Sequence, residues 1–330
     1  MNSVERVTLG RTGLTISRLG LGTWGFGPAS PPQSQVGSDE ELVNVLRRAF
    51  AAGINYIDSA EVYENEARLG RLLRDSAPPA DLVVVSKYGH GKGFDSDGVR
   101  RSAERSLDDL GLEQLPLMLI HDPRTPEHMD EVLGRGGALQ GLRRLQDEGL
   151  VASIGVATGT LRPLQLAVQS GEFDCIQFPR LHTLLTQAAR TSGLLDAARD
   201  AGMGTLLAAP FGGNILATGT IPGALYTYRE PLPEVLDAVR RMEARCAELG
   251  VSIAAAALTF PLSDPGIDGV VLGVTSAEQL DANLTALASP LSREELVSIA
   301  AAADITDDLV GGPEFLNSWP AGREPERKWA

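Results

Sequence analysis

Residues 54–70 read INYIDSAEVYENEARLG. Ile54 to Ile57 is a short apolar run after Gly53, the pattern of a strand buried in a parallel sheet. The run ends on the carboxylate of Asp58, and Tyr63 follows shortly before a helix-like run from Glu64 to Arg74. A carboxylate and a phenol therefore share one strand–loop–helix corner. In purely structural terms Asp58 caps a turn and Tyr63 is a half-buried aromatic. The flanking segments weigh against that reading.

Upstream, residues 6–18 alternate polar and apolar residues about a Gly-Arg-Thr-Gly turn, a β-hairpin signal. Leu19 to Thr23 reads as a strand, and residues 25–37, rich in Gly, Pro and Ser, as a loop. Asp39 to Ala52 has apolar residues at helical spacing, with Ser38 as N-cap. Downstream the alternation repeats. Strands are predicted at 82–86, 117–120, 152–156, 174–178, 204–208 and 269–272. Helices are predicted at 97–110, in a long region ending near Leu150, and at 161–170, 190–201, 233–249, 252–260 and 276–288.

Eight strands, each followed by helical sequence, favour a (β/α)8 TIM barrel over an open doubly wound sheet. No shift in composition marks a boundary, so residues 1–330 read as one domain rather than two medium ones. The Pro- and Trp-bearing segment 304–330 is expected to lie as a C-terminal tail over one barrel end, the mouth.

Composition narrows the partners. Hydrophobic content of 43% with 22% charged residues is that of an ordinary globular protein. The formal charge, 29 − 43 = −14, argues against nucleic acid or an anionic membrane as partner. Cys175 and Cys246 do not make a disulfide framework, and the four histidines are scattered, so no metal is expected. The N-terminal MNSVERVTLGR lacks a basic segment followed by an apolar core, and no run approaches membrane-spanning length. A reduced, cytoplasmic chain is expected. Oligomeric state is not legible.

In a barrel of this kind the active site lies at the C-terminal ends of the strands. Strand two ends on Asp58 with Tyr63 in its loop, strand three on Lys87, and strand four on His121. Taken singly, a lysine after a strand or a histidine before Asp-Pro is unremarkable. Such residues on three consecutive strands point to a shared site.

The chain here resembles the aldo-keto reductases. The resemblance rests on GLGTW (20–24), IDSAEVYENEARLG (57–70), VVVSKYG (83–89) and LMLIHDP (117–123), and it runs from the hairpin to about residue 288. It implies a catalytic tetrad of Asp58, Tyr63, Lys87 and His121. LAAPFGGNILATG (207–219) is similar to the loop of the branch that oxidises threo-configured aldoses such as fucose, together with galactose dehydrogenases. A sugar lactol, aldehyde or ketone is thereby implied as substrate. Physical chemistry is consistent with these roles. Hydride transfer leaves an oxygen that must gain or lose a proton, and a phenol manages this if its pKa falls from about 10 toward neutrality. The Lys87 ammonium favours the phenolate, Asp58 holds the lysine, and a neutral His121 orients the substrate oxygen.

The family resemblance also implies nicotinamide contacts. Thr158, beside Ala157, stands where the family carries a Ser-Asn pair, and Gln177 matches the family glutamine. Arg180, Leu181 and His182 occupy the region of a stacking aromatic, and none is assigned that role. Gly273, Thr275, Gln279 and Asn283 match adenosine-binding positions; the loop from Gly212 and Gly213 to Glu230 is expected to close over the pyrophosphate, and Phe211 before it is a cofactor-binding and pocket-lining candidate. Thr275 and Glu278 replace the cation that pairs with a 2′-phosphate, so NAD is expected over NADP; alternatively they merely begin a helix. Trp24 and Tyr88 are expected to meet substrate, with Phe94, Phe315 and Trp319 as further lining. Two rival readings remain: a carbonyl reductase tailoring a specialised metabolite, and a non-catalytic nicotinamide-binding regulator.

Overall fold

The computed structural model describes residues 3–27, 37–289 and 291–306. The expected tail, with Phe315 and Trp319, lies outside the described residues apart from its first few positions. Two short strands, β1 (Arg6–Thr8) and β2 (Thr15–Ser17), form the antiparallel hairpin. The strands of the barrel are β3 (Leu19–Gly22), β4 (Tyr56–Asp58), β5 (Val83–Gly89), β6 (Leu115–His121), β7 (Val151–Ala157), β8 (Cys175–Pro179), β9 (Gly204–Ala208) and β10 (Gly269–Gly273). All eight are parallel, and β10 pairs with both β9 and β3 to close the cylinder.

The helices are α1 (Asp39–Ala51), α2 (Glu66–Asp75), α3 (Ser96–Leu110), α4 (Pro126–Leu133), α5 (Ala138–Asp147), α6 (Leu161–Ser170), α7 (Ala188–Thr191), α8 (Leu194–Asp200), α9 (Ile215–Thr218), α10 (Pro233–Leu249), α11 (Ile253–Leu262), α12 (Ala277–Leu287) and α13 (Arg293–Ala302). Ser38 caps α1 through a reciprocal capping box with Glu41. The long helical region expected before Leu150 is two helices, because the glycine-rich turn 134–137 interrupts it. The helix expected at 190–201 likewise breaks at Gly193, whose φ is 77°.

Period-2 alternation sorts the strand residues into two cores. Ile57, Val84, Met118, Ile120, Ile176 and Leu207 point outward into the layer between barrel and helices. Tyr56, Val83, Val85, Leu117, Leu119 and Cys175 point into the barrel and fill it. Leu9 and Ile16 of the hairpin join this interior cluster and close the N-terminal end of the barrel. Arg11 ties that closure down by donating to the carbonyls of Gly171 and Phe173. With one end plugged, the site is confined to the other.

Candidate active site

The parity that packs the interior also aims the polar residues. Asp58 is two residues beyond Tyr56, Lys87 two beyond Val85, and His121 two beyond Leu119, so all three point inward above the apolar layer. Strand β5 continues past Lys87 to Gly89, so the lysine is not the strand end that the sequence suggested. Its side chain is 2% exposed, and Nζ donates to Asp58 Oδ2 at 2.7 Å and to the Ser59 carbonyl at 2.6 Å. Tyr63 arrives from a 3-10 turn, Glu61–Tyr63, and Lys87 Nζ lies 5.1 Å from its ring centroid. The Tyr63 and His121 rings meet edge to face, with centroids 6.1 Å apart at 82°. All four residues are thus brought together.

The corner that carries Tyr63 is held from several sides. Glu64 adopts a left-handed conformation (φ 53°), which delays α2 until Glu66 and leaves Tyr63 in the turn. Asn65 donates through its amide to the Thr23 carbonyl at 2.6 Å, binding the corner to the end of β3. Glu61 accepts from Lys92, Ser102 and Arg105. Beneath the turn, buried Glu66 accepts from Ser86 and Ser106.

Burial sets the protonation of the site. It pushes the Tyr63 phenol up to about 12, although the charge and hydrogen bonding of Lys87 pull the other way. The expected fall toward neutrality is therefore absent from the protein chain itself, because desolvation outweighs the ammonium. Burial also disfavours the charged form of Lys87, but Asp58 and Tyr63 more than offset this and leave its pKa raised. His121 is held well below the usual imidazole range by burial and then by the Lys87 charge, and is neutral. Two buried acceptor or donor atoms here, Asp58 Oδ1 and His121 Nδ1, have no partner among the described residues.

The implied nicotinamide contacts lie on the next part of the rim. Gln177 points inward on β8 in register with Ala157, and its Oε1 is buried without a partner among the described residues. That unsatisfied acceptor fits the amide of a nicotinamide carboxamide. Thr158 is buried beside it, its amide donating to the Gln177 carbonyl and its hydroxyl to Asp122 Oδ1 at 3.4 Å. Gly273 ends β10, and Thr275 and Gln279 bond to each other at the exposed start of α12, with Asn283 half-buried one turn on. Gly212 and Gly213 have φ of 64° and 118°, and a Cβ on Gly213 would meet the Leu225 carbonyl at 2.6 Å. These glycines let the loop after β9 fold back on itself, and Phe211 packs between its two neighbouring cores.

Tyr88 is not in the mouth. It follows Lys87, so parity turns it outward into the helix layer, where it is 4% exposed and its hydroxyl donates to Asp95. Phe94 is likewise core, its ring 5.1 Å from that of His128. Trp24, in a 3-10 turn after β3, does stand at the rim. It meets Tyr228 from the β9 loop edge to face at 5.0 Å, and Tyr228 acts electrostatically on Tyr63. No local pattern marked Tyr228. His182 is structural: it is buried against Phe260, with Nε2 3.2 Å from Asp264.

Sequence reading also missed a second network beside His121. Asp122 accepts from His90 Nδ1 at 3.0 Å and from Arg124 Nε at 2.7 Å. Burial alone would raise its pKa, but these donors hold it well below the usual carboxylate range. The His90 ring lies 5.2 Å from that of His121. A recess of about 340 Å³ lined by Gly10, Arg11 and Asp268 lies at the hairpin end, away from this chemistry. Among the described residues no cluster of three or more His, Cys, Asp or Glu could hold a metal, and no single helix is long and apolar enough to cross a membrane.

A closed parallel barrel carrying a buried Lys–Asp pair, a phenol and a neutral imidazole in its mouth is the frame of a barrel oxidoreductase. The family model for the Aldo/keto reductase family matches residues 18–304, and the chain belongs to that family. It is an oxidoreductase that uses a nicotinamide cofactor on carbonyl or alcohol substrates. It is 28% identical over 325 residues to a pyridoxal 4-dehydrogenase of Microbacterium luteolum, covering 86% of this chain and 93% of that one. It is 30% identical to a D-threo-aldose 1-dehydrogenase of a Pseudomonas species, covering 82% and 89%. Among solved structures it is similar to a thermostable aldo-keto reductase, with a TM-score of 0.69 and 26% identity over 91% of this chain and 100% of that one.

Proposed function

We propose that the protein is an NAD-preferring dehydrogenase of sugar lactols in which Asp58, Tyr63, Lys87 and His121 act together. The observation that carries this reading is the Lys87 ammonium, fixed between the Asp58 carboxylate and the Tyr63 ring in the barrel mouth. A bound nicotinamide supplies the ring carbon that takes the hydride. The chain's own residues handle the proton. Tyr63, as the phenolate that Lys87 stabilises, accepts it from the lactol hydroxyl and becomes the neutral phenol. Asp58 holds Lys87, and neutral His121 offers its ring to the substrate oxygen. Gln177 and Thr158 hold the carboxamide, and Gly273, Thr275, Gln279 and Asn283 the adenosine end.

Charge at the start of α12 supports NAD. Glu278 stands in its first turn with Glu41 in electrostatic reach, and the nearby cation, Arg48, is engaged by Asp281 at 2.6 Å. Among the described residues, a 2′-phosphate there would face the carboxylates of Glu278 and Glu41, with Arg48 already engaged. The similarity to a D-threo-aldose 1-dehydrogenase supports the lactol.

One observation favours a second reading, reduction of a carbonyl. A phenol near pKa 12 is protonated at neutral pH and serves as an acid. Absorbance at the reduced-nicotinamide band, with NAD or NADP against fucose, galactose, arabinose, pyridoxal and simple aldehydes, tests both. Turnover with NAD and an aldose is expected. Turnover confined to NADPH with carbonyls would overturn both the cofactor and the substrate assignments.

A further inference from the structure

Two cations in the mouth are matched by carboxylates. Lys87 bonds Asp58, and Arg124 bonds Asp122. Arg180, half-buried, makes no side-chain hydrogen bond or ion pair among the described residues. It follows directly on the C-terminal end of β8, three residues after Gln177, and its amide donates to the Ala208 carbonyl at the end of β9. Its backbone is left-handed (φ 63°), a conformation that favours glycine. On the other side, Gly159 carries no side chain, and a Cβ there would lie 3.8 Å from Arg180 Nη2. The guanidinium also acts on the Tyr228 hydroxyl, which in turn acts on Tyr63. Arg180 is therefore on the rim between the expected carboxamide site at Thr158 and Gln177 and the glycine loop at Gly212. An unpaired cation that is partly desolvated is costly unless something pairs with it.

We propose that Arg180 is the anion receptor of the mouth, binding two oxygens of a phosphate or carboxylate presented by the ligand. A planar guanidinium fork suits both groups. The oxyanion is either the pyrophosphate of the dinucleotide or an acidic group on the substrate. The inference rests on the nicotinamide site proposed above.

Arg180→Gln and Arg180→Lys are to be compared with the unmodified protein in NADH titrations, read by energy transfer from tryptophan, with inorganic pyrophosphate as a competing probe. KM for glyceraldehyde 3-phosphate against glyceraldehyde is measured beside them. Unfolding temperatures should be unchanged, because the side chain has no hydrogen bond or ion pair to lose among the described residues.

If the cofactor is the source, Arg180→Gln weakens NADH binding about ten- to hundredfold, Arg180→Lys restores part of it, and pyrophosphate competes only with the unmodified protein. If the substrate is the source, NADH binding is unchanged and KM rises by a similar factor for the phosphorylated aldehyde alone. NADH affinity and both KM values unaffected by Arg180→Gln would overturn the proposal. Failure of the unmodified protein to bind NADH or NADPH would instead sink the nicotinamide site itself.

Discussion

Lys87 has three donors, and the positions of Asp58 and Ser59 use two of them while its charge lies beside Tyr63. This fixes the ammonium but does not by itself ionise the phenol, since burial keeps the Tyr63 pKa near 12. A sign for the pH dependence follows. Below that value the phenolate fraction grows about tenfold per pH unit, so single-turnover alcohol oxidation should rise with pH across the neutral and mildly alkaline range. Carbonyl reduction, which needs the protonated form, should be flat there and fall only as pH approaches 12. An oxidation rate independent of pH between 6 and about 9 would show that another group moves the proton.

At the scale of elements, the His182–Asp264–Arg190 group joins the loop after β8 to the end of α11. Asp264 is 4% exposed and accepts from Nε and Nη2 of Arg190, from His182 and from the Gly266 amide. Burial alone would raise its pKa, but these partners hold it well below the usual carboxylate range. Its contribution to stability is therefore present above the unfolded value of about 3.9 and is lost as pH falls toward the folded value. Asp264→Asn should cost about 2–4 kcal/mol in urea unfolding at pH 7. The gap between the two proteins should narrow at pH 3. An equal gap at both pH values would show that the ionised carboxylate is not what holds this junction.

Much of this level was legible in the sequence. Apolar runs located every barrel strand, and the residue types at strand ends singled out the four that meet. Strand parity was equally present in VVVSKYG, and it turns Tyr88 outward once Lys87 points in. Ser292 and Glu295 spelled the capping box of α13, an element the sequence reading passed over. Tyr228 and the His90–Asp122–Arg124 network were not legible, because each depends on contacts between loops that no local pattern encodes. The pKa of Tyr63 was beyond reach for the same reason: desolvation is a property of the closed mouth.

The whole molecule explains why the site exists at all. Closure of β10 onto β3 brings the ends of β4, β5 and β6 into one ring, and the hairpin plug leaves the chemistry a single open end. Asp58, Lys87 and His121 come from three adjacent paired strands and Tyr63 from the loop after the first, so the full set of four meets only when these strands pair. The central claim is that this assembly moves a proton through Tyr63 while hydride passes to or from nicotinamide. Rapid-mixing absorbance of the unmodified protein and of Tyr63→Phe, with NADH affinity measured alongside, tests it most directly. The account predicts a hydride-transfer rate about 10²- to 10⁴-fold lower in the variant, with cofactor affinity unchanged. A variant that transfers hydride at the unmodified rate would contradict it.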